Sequence, residues 1–156
     1  MKDPNLFIMI KIALKYGLLM FIGYLILFYV MKVLNLYHIV ELRVLNFLIQ
    51  SAGIYLALNE LQRRQSKEYG YINGFIEGII VTMSGALPFA LFMMIYLTSI
   101  EPEFMLYLQK FALNGAYLNP VTILIGLVFE AVGSGVLISY VIMRYTLINQ
   151  SIKVRS

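Results

Sequence analysis

Long apolar runs interrupted at a few fixed places dominate the chain. Four of them approach or exceed the roughly 20 residues that a helix needs to cross a bilayer. They cover about residues 16–36, 42–61, 74–98 and 119–143. The first is free of charge until Lys32, which reaches the near interface by extending its side chain. The second holds Asn46, Gln50 and Asn59 and is the most polar of the four. Ahead of the first run, Asp3-Pro4 reads as an N-cap followed by proline at the first helical position. The apolar stretch 6–14 behind it, with Lys11 and Lys15 one turn apart, either lies in the interface or lengthens the first span. A shorter helix is expected over about 102–114. There Glu103, Tyr107, Lys110 and Asn114 form one polar stripe, with Phe104, Leu108 and Phe111 opposite. That pattern suits an amphipathic helix at the headgroup level on the outer side.

The pattern therefore predicts an all-α polytopic membrane protein. Its single domain, 1–156, is a compact bundle of four transmembrane helices with one short amphipathic interfacial helix. Composition agrees. The chain is 61% hydrophobic and 13% charged, whereas soluble domains run near 45–50% and about 25%. The run near the N-terminus is too long for a cleavable signal peptide and no small-residue cleavage site follows it, so the first span is expected to remain as an anchor. Lys and Arg fall unevenly. Lys2, Lys11, Lys15, Arg63, Arg64, Lys67, Arg144, Lys153 and Arg155 lie on one side; Lys32, Arg43 and Lys110 lie on the other. By the positive-inside rule both termini and the Arg63–Lys67 loop are expected in the cytoplasm, and this bias argues against dual-topology insertion. No groove-reading motif accompanies the basic residues, so nucleic acid is not an expected partner. The absence of Cys excludes disulfides and thiol chemistry.

Helices in lipid pack through small residues. Three spans carry such seams at helical spacing: Asn46, Gln50, Gly53 and Ala57 in the second; Gly70, Gly74, Gly78, Thr82 and Gly85 in the third; Gly126, Glu130, Gly133 and Leu137, with Ser134 beside them, in the fourth. Pro88 lies near the middle of the third span. It leaves the Ser84 carbonyl without its usual helical donor, which predicts a kink.

Glu130 stands out because it lies near the bilayer centre, about 15 Å from the outer end of its helix. Pro88 and Gln50 lie at similar depth, and no Lys or Arg does. A neutral Glu130 donating to Gln50 or to the Ser84 carbonyl is interhelical glue. A titrating one marks an ion or proton path. The chain offers no second mid-membrane acid and no His at that depth, which tilts the reading toward glue. Glu77 is expected near the cytoplasmic boundary, in reach of headgroup water and of Arg63, Arg64 or Lys67. His38 is expected to be interfacial, Glu101 a helix cap and Glu103 part of a solvated face. Gly133-Ser134-Gly135 lacks the strand and turn of a phosphate loop, and the Asn149-Gln150-Ser151 triplet is placed on the cytoplasmic side. No cofactor, metal-binding or catalytic motif is found.

Lys11-Ile-Ala-Leu-Lys-Tyr-Gly-Leu, Tyr71-Ile-Asn-Gly-Phe-Ile-Glu-Gly, Tyr96-Leu-Thr-Ser-Ile-Glu-Pro-Glu-Phe, and Asn119-Pro with Phe129-Glu130 further on together resemble a family of small bacterial four-helix membrane proteins, domain-of-unknown-function family 4199. The resemblance covers nearly the whole chain. It implies a four-helix inner-membrane fold and no particular activity or cofactor. The expected role is that of a non-enzymatic, helix-packing or accessory membrane component. Its partners are the lipid bilayer and either a second copy or a larger complex. The alternative is a small proton- or ion-coupled transporter using Glu130. An enzyme acting on lipid ranks below both, because no nucleophile–base pair is present.

Overall fold

A computed structural model describes residues 4–36, 44–64, 70–111 and 115–155, with the side chains of 6–36, 44–64, 70–111 and 115–148. His38 and Asn114 lie outside the described residues, as do the side chains of the Asn149 triplet. Five α-helices follow one another: α1 (Pro4–Val33), α2 (Val44–Arg64), α3 (Tyr71–Ile95), α4 (Pro102–Phe111) and α5 (Pro120–Arg155). Four regions are long and apolar enough to cross a membrane: Leu6–Val33, Val44–Arg64, Tyr71–Ile100 and Pro120–Ile148.

The residues before the first apolar run join it in one 30-residue helix, so they lengthen the span rather than lie apart from it. Asn35 ends α1. It sits at φ 54, and the Leu36 amide reaches back to the Met31 carbonyl at 2.8 Å, the left-handed cap that asparagine tolerates best after glycine. α5 starts on a reciprocal cap. The Thr122 amide donates to Asn119 Oδ1 at 2.9 Å, the Asn119 amide donates to Thr122 Oγ1 at 2.8 Å, and Pro120 takes the first helical position. At its far end α5 runs past the expected 143 to Arg155. Beyond α3, Tyr96–Ile100 forms a π-helical turn that closes with the Glu101 amide on the Tyr96 carbonyl at 2.9 Å.

α3 is the central helix and packs on α1, α2 and α5. Close contacts give the directions. Gly78 faces Ser139 and Gly135 faces Thr82, so α3 and α5 are antiparallel. Met20 faces Gly53 and Lys15 reaches Glu60, so α1 and α2 are antiparallel. Gly17 meets Ser84 and Tyr24 meets Phe89, so α1 and α3 run parallel. The bundle thus alternates up and down, with the start of α1 and the end of α5 at the same end.

Small residues set the spacing. A Cβ on Gly17 would lie 1.9 Å from Ser84 Oγ and 2.9 Å from the Ser84 backbone carbon, and one on Gly85 would lie 2.9 Å from the Gly17 carbonyl oxygen. The two backbones therefore touch, as small residues permit in lipid. The expected seams of the second and third spans are seen in the buried Gln50, Gly53 and Ala57 and the buried Gly74, Gly78, Thr82 and Gly85, whereas Asn46 is half-buried and Gly70, ahead of α3, is exposed with nothing within 4 Å of a Cβ there. The expected seam of the fourth is corrected. Nothing lies within 4 Å of a Cβ placed on Gly126 or Gly133. The face of α5 that meets α3 carries Gly135 and Ser139, with Ala131 one turn before them on the same side.

Candidate functional site

Gln50 is the side chain that joins three helices. It is only 3% exposed. Its amide nitrogen donates to the Ala131 carbonyl of α5 at 2.7 Å and lies 3.5 Å from the Thr82 hydroxyl of α3. Its amide oxygen accepts from the Ser134 hydroxyl at 2.8 Å. Ser134 also lies 2.8 Å from the Glu130 carbonyl of its own helix. A buried amide with both ends satisfied is what a low-dielectric interior requires.

Beside this junction is a cavity of about 410 Å³, with Tyr24, Phe47, Gln50, Phe89, Glu130 and Ser134 among its walls. The structure thus brings Glu130, Gln50 and Ser134 to one place. Glu130 is exposed on the surface of the bundle rather than enclosed within it. Ser84 and Pro88 do not join them. The Ser84 hydroxyl donates toward the Ala13 carbonyl at 2.8 Å, which puts it on the face of α3 that meets α1. α3 is one helix from Tyr71 to Ile95, with the half-buried Pro88 inside it.

The acid enclosed by the bundle is Glu77. Its relative exposure is 0%, and neither carboxyl oxygen has a hydrogen-bond partner among the described residues. This corrects the expectation of a boundary residue paired with Arg63, Arg64 or Lys67. Arg64 binds Glu60 instead, at 2.5 Å, and Arg63 is exposed. The signal was available. Glu77 comes three residues after Gly74 of the glycine seam, which puts it beside that buried stripe.

Each end of the bundle has a polar clamp. At one end Glu60 accepts from Lys15 at 2.6 Å and from the Tyr16 hydroxyl at 2.7 Å, tying α2 to α1. At the other end Glu101 pairs with Lys32 at 2.7 Å, and the buried Tyr96 hydroxyl bridges the two. Glu101 is therefore half of an ion pair between α1 and the π turn. Lys32 first and Tyr96 second hold its carboxyl below the ordinary carboxylate range. A lowered folded-state pKa adds stability above the unfolded-state pKa and loses it as pH falls through the folded one. Acidification below the usual carboxylate range is therefore expected to loosen α4, which follows directly, before the rest of the bundle. Amide exchange over 102–111 checks this: protection should fall with acid in the native chain and be low but acid-independent in Glu101→Gln. Among the described residues no three His, Cys, Asp or Glu groups come together as a metal site.

No family model matches the chain, and neither a curated protein nor a solved structure matches it. Four helices of this length and apolarity in one bundle are the architecture of a multi-pass membrane protein.

Proposed function

We propose that the protein is a non-enzymatic accessory component of the bacterial inner membrane, with both termini cytoplasmic, and that it works by docking another transmembrane helix on the uncovered face of α5. The observation that carries this is the pair Gly126 and Gly133. They sit two turns apart on one face, with open space where a Cβ would stand. Phe129 and Leu137 flank them at 75% and 64% exposure. A face meant only for lipid gains nothing from glycine, which costs about 1 kcal/mol of helix propensity against alanine. Glycine repays that cost where a second backbone approaches closely. The sharing of burial agrees: 11% of the most apolar window of α5 is buried, against 44% for the span that contains α3.

The chain contains no cysteine, so a single introduced thiol reports on this face without background. Gly133→Cys should cross-link in native membranes, to a second copy or to a partner chain, while Gly135→Cys on the inward face should not. Paired Gly126→Leu and Gly133→Leu substitutions should weaken the association at least about tenfold, roughly 1.4 kcal/mol, and leave the bundle folded. Equal association in the leucine variant, with no cross-link through position 133, would sink the proposal.

A second reading, a small proton- or ion-coupled transporter, draws support from the cavity that Glu130 shares with Gln50 and Ser134. Its mark would be substrate-dependent flux in proteoliposomes that Glu130→Gln abolishes.

A further inference from the structure

The carboxyl group of Glu77 has no packing role that a hydrogen bond would explain. A side chain acting as interhelical glue needs a partner, and both its oxygens lack one among the described residues. A position needing only bulk would take an apolar residue, as Val81 does one turn further along α3. What remains particular to a carboxyl is that it takes up and releases a positive species.

Among the described residues, the charged and titratable groups on the helices around this end of the bundle are engaged elsewhere or exposed. On α1 these are Lys11, Lys15 and Tyr16; on α2, Glu60, Arg63 and Arg64; on α5, Tyr140, Arg144 and Tyr145. Lys15, Tyr16 and Arg64 are engaged with Glu60. Lys11, Arg63, Tyr140, Arg144 and Tyr145 are exposed. The nearby hydroxyl of Ser139, itself 0% exposed, donates to the Gly135 carbonyl at 2.6 Å. An ionised carboxylate in such a place has neither a counter-ion nor a donor among the described residues, so the closed bundle requires a bound cation. A proton is the one that fits without coordinating ligands.

Release also has a route. Glu77 is six residues into α3, about 9 Å from its start. It lies two turns before Ser84, on the face of α3 that meets α1, and that contact rests on small residues, where a Cβ on Gly17 would stand 1.9 Å from Ser84 Oγ. Backbones meeting over glycine and serine separate without disengaging long interlocked side chains.

We infer that Glu77 is a proton-exchange site: it holds a proton while α1 and α3 are closed on each other and gives it to water when they part. This does not depend on the docking role of α5.

The test is infrared spectroscopy of the full chain in lipid nanodiscs across a pH series, with Glu77→Gln to assign the band. A protonated-carboxyl band is expected near neutral pH, absent from Glu77→Gln and retained in Glu130→Gln. It should disappear as pH rises, return on re-acidification, and leave the helical amide signal unchanged. If Glu77→Gln does not fold, transfer of the native chain to D₂O replaces it, and the buried carboxyl band should shift within minutes. Three results would overturn the inference. The band is missing at neutral pH; or it ignores both alkali and D₂O for hours; or it appears only when alkali cations are withdrawn, which assigns the carboxyl to a metal ion.

Discussion

Gly17→Leu should unseat α1 from the bundle. Even a single Cβ at this position would lie 1.9 Å from Ser84 Oγ and 2.9 Å from the Ser84 backbone carbon, so rotating a side chain away does not relieve it. The helix would have to move, taking with it the Ser84 hydrogen bond to the Ala13 carbonyl and the contact of Tyr24 with Phe89. Overpacking of a well-fitted site costs about 1–3 kcal/mol and occasionally more. The gain in helix propensity from replacing glycine, about 0.8 kcal/mol, offsets only part of that. Unfolding in mixed micelles should show a lower midpoint for Gly17→Leu and an almost unchanged one for Gly133→Leu, where nothing lies within 4 Å. Equal destabilisation by the two would mean that α1 and α3 do not meet at Gly17.

Gln50→Leu should release α2 from α5. Two hydrogen bonds cross that boundary, one to the Ala131 carbonyl and one from Ser134. Side-chain bonds between helices in lipid average about 0.6 kcal/mol and reach about 1.7, so the loss should be roughly 1–3 kcal/mol. It should not be larger, because the Ser134 hydroxyl keeps the Glu130 carbonyl of its own helix as an acceptor and no polar group is orphaned. The same substitution in a Ser134→Ala background should cost less than in the native chain; strict additivity would show that the two side chains do not communicate.

The sequence was clear about where helices lie and less clear about which way they face. The four spans and the short amphipathic helix are where the apolar and amphipathic runs put them, because the bilayer demands length and apolarity that few other structures share. The end of α5 was missed because Arg144 ends the apolar run without ending the helix. From there to Arg155 the chain has no glycine or proline to stop it. The faces of α2 and α3 were legible because their small and polar residues fall on one stripe each. α5 has two such stripes on opposite sides. Glu130 drew attention to Gly126 and Gly133, while the inward stripe of Ala131, Gly135 and Ser139 carried no charge to mark it. The same habit of weighing acids by depth hid Glu77. A residue one or two turns from a helix end has water beside it only if its face is open, and Glu77 is fully buried.

The match of α3 with α5 has a further property. Gly78 and Thr82 on one helix, and Ser139 and Gly135 on the other, repeat every four residues. Sliding one helix past the other by one four-residue repeat, about 6 Å, sets small groups against small groups again. Like a vernier, such a scale has more than one good alignment, and van der Waals contact alone would choose poorly between them. Gln50 fixes the choice. Its amide finds Ala131 and Ser134 at one setting only, so a single polar side chain on a third helix locks the position of the other two, as a lone buried amide sets the stagger of a coiled coil.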